Sequence, residues 1–204
     1  MGLPNGDDSY NSLIRGQLRL SATERIRSLT TLSGIDVPMV LSDLVGTGTE
    51  LMLVGRVAGA AHGWPITLGA SDHRDLLVEV VPASLTALKR AAIDLGYEPV
   101  EQAQRVVEDA GYKRLGQGQW VLADHVRLIA HEQPGRTRGY ADLARNADRF
   151  EIGGATLPVA ALIDLIRIAE GDPGSVMRPF TAALWSTLEM TRRVDGEELA
   201  RVAA

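Results

Sequence analysis

The stretch Leu51-Met-Leu-Val-Gly55-Arg-Val-Ala-Gly-Ala-Ala61-His-Gly-Trp-Pro65 governs the reading of the whole chain. Its first four residues are an uninterrupted apolar run, the pattern of a short strand buried on both faces. Gly55 ends the run. Residues 57–62 are mostly small, which predicts a short helix packed tightly on a sheet, and Gly63 with Pro65 breaks it. Beyond it, residues 66–75 read as an irregular loop. Residues 76–81 read as a second strand, apolar but for Glu79, and Pro82 stops it. Ser84 then caps a helix whose Leu85, Leu88, Ala92 and Leu95 fall on one face, with Gly96 closing it.

On the N-terminal side, residues 11–33 carry a helical pattern, with Leu18, Ile26 and Leu29 apolar among charged neighbours. Ser21 followed by Glu24 is a capping box, and Gly34 is a stop. Pro38 opens a second short helix through Val45, and residues 46–49 form a turn. Residues 1–10 are polar, contain no signal-peptide apolar region, and are expected to be disordered. On the C-terminal side, residues 100–110 predict a helix. Residues 120–122 and 126–129 predict two strands of a hairpin, and residues 140–147 a short helix. Residues 150–152 and 155–159 flank Gly153-Gly154, a hairpin signature. Helices are expected over 161–168 and 179–190, followed by a polar, frayed tail over 192–204. The order predicts an α/β (α+β) domain, a mixed sheet with flanking helices.

Hydrophobic residues are 45 % and charged residues 23 % of the 204 residues, ordinary for a globular protein. The net charge of −5 counts against a surface built to hold nucleic-acid backbone. With no cysteine, thiol catalysis, disulfides and thiolate metal sites are excluded, and the chain fits a reducing cytoplasm. No apolar run reaches the length of a membrane span.

Two stretches resemble the nucleotidyltransferase superfamily, in particular its small bacterial members that include toxin–antitoxin partners. Residues 51–65 are similar to that family's strand, Gly-Gly or Gly-Ser turn, small-residue helix and His-Gly-x-Pro ending. Pro134-Gly-Arg-Thr-Arg-Gly-Tyr140-Ala-Asp-Leu143, Glu151-Ile-Gly-Gly154 and Val159-Ala-Ala-Leu-Ile-Asp-Leu-Ile-Arg167 are similar to its Pro-Gly-Thr loop, β-hairpin and following helix. The resemblance implies a nucleotidyltransferase-like domain over 50–191, behind an N-terminal helical element over 11–49. It also implies a chemistry: an acceptor attacks the α-phosphate of a nucleoside triphosphate between two metal ions. An Asp-x-Asp pair and a third carboxylate on a later strand would hold magnesium through oxygen.

The sequence departs from that pattern at each place. The second turn residue is Arg56. The carboxylate pair falls on Ala70 and Asp72 in one register and on His73 and Asp75 in the other, which keeps Leu76 and Leu77 in the sheet. Either way one carboxylate survives. The third carboxylate falls on Arg127, or on Asp124 after a slip of a few residues. The lysine common after the Asp-Leu-Ile-Arg element is missing, since Ile168 and Ala169 follow Arg167. The expectation is a degraded site: Asp75 and Asp72 as the catalytic remnants, and Gly55, Arg56, His73 and Arg127 as nucleotide-binding candidates, with Arg127 ion-paired to Asp75. No bound metal or cofactor is expected, and Mg²⁺ with a nucleoside triphosphate belongs only to an active enzyme.

Three functions compete. A non-catalytic, antitoxin-like or regulatory module would bind a protein partner or an anionic ligand. An active nucleotidyltransferase would use Asp75 with His73 or Asp124. A DNA-binding regulator would use residues 20–45 as a helix–turn–helix, against which the net charge and Pro38 both count. Among single residues, Arg56 opposes the dipole of the helix it starts, and His62 reads as a packed helix-end residue. His73, Asp72 and Asp75 could hold one metal, though a solvated polar loop is the plainer reading. His125 and His131 read as surface residues, and Arg136, Arg138, Arg145 and Arg149 as a basic stretch. Trp185 lies at helical spacing with Thr181, Leu184 and Leu188, which predicts a core position.

Overall fold

The computed structural model of the protein describes residues 6–31, 34–64, 76–100, 118–123, 126–134, 139–171 and 178–202. These residues form eight helices and one seven-stranded mixed sheet, an α/β architecture. The chain opens with α1 (Gly6–Leu18), α2 (Ala22–Thr30) and α3 (Val37–Gly46), then β1 (Leu51–Val54), α4 (Gly55–Ala61), β2 (Leu76–Pro82) and α5 (Leu85–Asp94). There follow β3 (Glu98–Pro99), β4 (Gly118–Ala123), β5 (Val126–Ala130), α6 (Tyr140–Leu143), β6 (Asp148–Ile152), β7 (Ala155–Val159), α7 (Leu162–Gly171) and α8 (Arg178–Val202).

The two apolar runs that open the sequence argument are neighbours at the centre of the sheet. The strand order is β3-β4-β5-β2-β1-β7-β6. β1 and β2 are antiparallel, with Val54 opposite Glu79, while β1 runs parallel to β7 and β2 parallel to β5. Because successive side chains alternate across a strand, the β2–β5 ladder sends Val78, Val80, Leu128 and Ala130 to one face. It sends Leu77, Glu79, Arg127 and Ile129 to the other. The first set is fully buried. Half-burial of Leu77, Glu79 and Arg127 makes the second face the one that can carry chemistry.

Local rules explain most of the elements. At α2 the Ser21 hydroxyl accepts from the Glu24 amide at 3.2 Å, and the Ser21 amide donates to the Glu24 carboxylate at 2.7 Å. The Ser21 hydroxyl, which also donates to the Glu24 carboxylate at 2.7 Å, and then the Ser21 amide hold that carboxyl below its ordinary range. Ser84 caps α5 through the Ala87 amide. The Gly153-Gly154 turn closes an antiparallel hairpin in which Ile152 faces Ala155 and Phe150 faces Leu157. Thr23 of α2 fastens that turn: its hydroxyl donates to the Glu151 carbonyl at 3.0 Å and accepts from the Gly153 amide at 3.1 Å.

Several expectations are corrected. The helical pattern of residues 11–33 is two helices broken around Ser21, and the first begins at Gly6, inside the segment expected to be disordered. The tail after residue 192 continues α8 to Val202. Glu197, Glu198, Leu199, Ala200 and Arg201 are strong helix formers, and Gly196 alone costs only about 1 kcal/mol. The helix expected over 140–147 stops at Leu143. Trp185 is 41 % exposed and is not a core residue, whereas Trp120 is buried on β4. Of the helix expected over 100–110 only Val100 is described, and its amide donates to the Gln119 carbonyl at 2.8 Å; residues 101–110 and the loop over 66–75 lie outside the described residues. No helix among the described residues is long and apolar enough to cross a membrane.

Candidate functional site

The half-buried face of β2 and β5 meets the start of α4 at Gly55. Gly55 has φ +66°, a left-handed conformation that lets β1 turn straight into a helix without a side-chain clash. A Cβ there would overlap the Glu79 carboxylate, which lies directly against the glycine. The other oxygen of that carboxylate is 3.2 Å from His131 Nε2, which donates to it. The side chains of His131 and Glu79 are only 14 % and 26 % exposed. His131 is held just past the end of β5 by its own amide, which donates to the Val80 carbonyl at 2.9 Å. The turn, the carboxylate and the imidazole therefore come from three separate segments that the sheet brings together.

Of the nucleotide-binding candidates, the structure places three. Gly55 and Arg56 form the β1–α4 turn, and Arg56 is half-buried with no hydrogen-bond or ion-pair partner among the described residues. Arg127 sits on β5 beside Leu77, on the same face as Glu79. Its Nη1 donates to the Ala123 carbonyl at 2.7 Å and the Val126 carbonyl at 3.2 Å, which tethers it to the β4–β5 edge. Asp72, His73, Asp75 and Asp124 lie outside the described residues, as do His125, Arg136 and Arg138; so does the expected Arg127–Asp75 ion pair. Arg145 and Arg149 are exposed, and Arg145 stands 4.0 Å from Asp142.

One reading of a single residue changes. His131, expected at the surface, is a partner of Glu79. The signal in the sequence was Glu79 itself, one acid in an otherwise apolar central strand, which requires a polar partner to be tolerated there. His62, by contrast, is a packed helix-end residue as expected. It is 7 % exposed, its Nε2 bonds the Ala160 carbonyl at 2.9 Å, and its ring meets Phe150 edge-on. Asp164, in the segment that resembles the family's helix, is also buried. It accepts from Arg167 at 3.0 Å and from Asn146 at 3.4 Å, so its carboxylate ties α7 to the turn after α6.

Among the described residues no three His, Asp or Glu side chains converge as a metal site. Glu79 and His131 engage each other, and the β5 position on this face holds a cation, Arg127. The expected carboxylates Asp72, Asp75 and Asp124, which would supply the oxygen ligands that magnesium needs, lie outside the described residues. The described residues of this face offer one half-buried carboxylate–imidazole pair, with Arg127 on the same sheet face and the Arg56-bearing β1–α4 turn against the Glu79 carboxylate.

Alanine at position 55 is expected to cost about 1–2 kcal/mol, the penalty of a left-handed backbone for a side-chain-bearing residue. The clash itself is with a flexible side-chain end, so Glu79 moves and His131 loses its partner. Thermal melting together with the His131 imidazole chemical shifts checks both effects. A wild-type melting temperature with unchanged His131 shifts would contradict this geometry.

The chain matches no protein-family model and no curated protein sequence.

Proposed function

We propose that the protein is a nucleotidyltransferase-like domain with a degraded metal site, acting as a non-catalytic binding or regulatory module of the antitoxin-like kind. One observation carries this reading. Arg127 lies on the chemistry-bearing face of β5, next to β2, where the resemblance calls for the third metal-binding carboxylate. A guanidinium repels divalent cations and favours anions. Arg56, at the turn where the family presents a triphosphate, adds a second cation with no described partner. Both suit an anionic ligand or an acidic protein surface held without magnesium. Central β1 and β2, the intervening α4 and the Gly-Gly hairpin agree with the architecture the resemblance implies, although a fold alone assigns no function.

The competing reading is an active enzyme in which Asp72, Asp75 and Asp124 assemble the metals. A labelled-nucleotide transfer assay separates the two. ATP, GTP, CTP and UTP are offered with Mg²⁺ and with RNA, protein extract and small hydroxyl compounds as acceptors. No transfer is expected above the level of an Asp75→Ala variant. Transfer that Asp75→Ala abolishes would establish the enzyme and remove the module.

A further inference from the structure

We propose that His131 is a positioning residue for the β1–α4 turn: by holding the Glu79 carboxylate it keeps Glu79 from pairing with Arg56 and leaves Arg56 open to an anionic ligand, a role that rests on Arg56 being the anion contact. A pairing that proximity favours is missing here. Val54 lies opposite Glu79 in the β1–β2 ladder, so Arg56 follows two residues after the partner of the acid. The carboxylate itself rests on Gly55, the residue before Arg56. Glu79 and Arg56 are both half-buried, yet no ion pair joins them, and Arg56 has no hydrogen-bond or ion-pair partner among the described residues.

Opposite charges taken partly out of water this close together ordinarily pair, since each is costly without a partner. The direction of the side chain favours it too. Cα–Cβ bonds on a helix lean toward its N-terminus, which tilts the Arg56 stem back over Gly55 and the carboxylate. His131 takes the place that Arg56 would have. Its Nε2 lies 3.2 Å from one Glu79 oxygen and donates to it, while the other oxygen lies against Gly55. The His131 amide donates to the Val80 carbonyl at 2.9 Å, so the imidazole is anchored to the strand that carries Glu79. An anchored ring loses less conformational freedom in that bond than a long arginine folded back on itself would lose. Arg127, on the same face, is tethered by the Ala123 and Val126 carbonyls. A Glu79 released by His131 therefore turns to Arg56 and closes the turn to anions.

Two measurements test this: the Arg56 Nε–H signal in proton–nitrogen NMR spectra, assigned by its loss in Arg56→Ala, and calorimetry with inorganic pyrophosphate. His131→Phe keeps a ring of similar size but no donor. It should shift the Arg56 signal as the guanidinium gains a carboxylate. It should also weaken pyrophosphate binding about tenfold, the loss when about nine molecules in ten hold Arg56 closed. His131→Gln, which can still donate to Glu79, should behave as wild type. Adding Glu79→Gln to His131→Phe removes the competing carboxylate and should restore the affinity, which it would not do if the histidine were merely packed there. An Arg56 signal unmoved by His131→Phe, or an affinity not restored in the double variant, would overturn the role of His131. So would a shift of the Arg56 signal in Glu79→Gln alone, which would mean that Glu79 already pairs with Arg56; that result decides the matter even if His131→Phe fails to fold. A wild-type pyrophosphate affinity that Arg56→Ala leaves unchanged would instead remove Arg56 as the anion contact, while the Arg56 signal still decides whether His131 keeps Glu79 from it.

Discussion

Valine at position 153 is expected to lower the melting temperature by roughly 10 °C, a loss on the order of 4 kcal/mol for a domain of this size. Two costs combine. Gly153 has φ +62°, where a β-branched residue is strained by about 1–3 kcal/mol. A Cβ on Gly153 would also overlap the backbone carbonyl of Pro38 at the start of α3, which cannot rotate aside as a side chain does. Relieving that overlap means moving α3 off the hairpin, a further cost of about 1–3 kcal/mol typical of overpacking. The Thr23 bond to the Gly153 amide would go with it. Gly154 is the internal control. It also has positive φ, at +89°, but nothing lies within 4 Å of its Cβ position, so Gly154→Ala should cost only the backbone strain. Equal melting temperatures for Gly153→Val and Gly154→Ala would show that the hairpin does not rest on α3 in this way.

Arg25→Met should cost about 3 kcal/mol. Methionine keeps the apolar stem of the side chain but removes three hydrogen bonds from a charged donor. Each such bond contributes on the order of 1 kcal/mol net. The carbonyls left behind, of Gln17 and Leu18 in α1 and Ala61 in α4, are at helix ends, which lack the full set of following amides. Gln17 keeps the Leu20 amide as a donor, so the loss falls hardest on Leu18 and Ala61. Arg25→Lys should recover part of the stability but not all of it, since an ammonium cannot span three carbonyls in the plane of a guanidinium. Chemical denaturation of the three proteins, with the midpoints compared at constant slope, measures this. Wild-type stability in Arg25→Met would show that the α1–α4 junction is held by apolar packing alone.

How much of this was legible in the sequence follows from which interactions are local. β1, β2 and the β6–β7 hairpin were readable because each is a short apolar or β-prone run ended by Gly or Pro. The α2 capping box was readable because both partners lie within one turn. Long-range pairings were not. Glu79 and His131 are 52 residues apart, and Thr23 meets Glu151 across 128 residues. Only the sheet order brings them together. The odd acid in β2 was a clue to the first; the second left no signal, because a threonine in a polar helix turn is commonplace. β3 is two residues long and exists only because Glu98 and Pro99 pair with β4, so no periodicity could announce it. Trp185 has core spacing yet stays exposed, since helical spacing marks a shared face without saying what covers it.

The proposed loss of the metal site has its most direct test in calorimetry of nucleoside triphosphate binding with and without Mg²⁺. On the proposed reading, with Arg127 on β5 and Glu79 paired with His131, magnesium would gain little over its own water shell. The affinity for ATP, GTP, CTP and UTP should then be the same or weaker with excess Mg²⁺, and Asp75→Ala should leave it unchanged. An affinity that rises about tenfold or more with Mg²⁺ and falls back in Asp75→Ala, a gain of about 1.4 kcal/mol, would contradict a degraded site and restore the active enzyme.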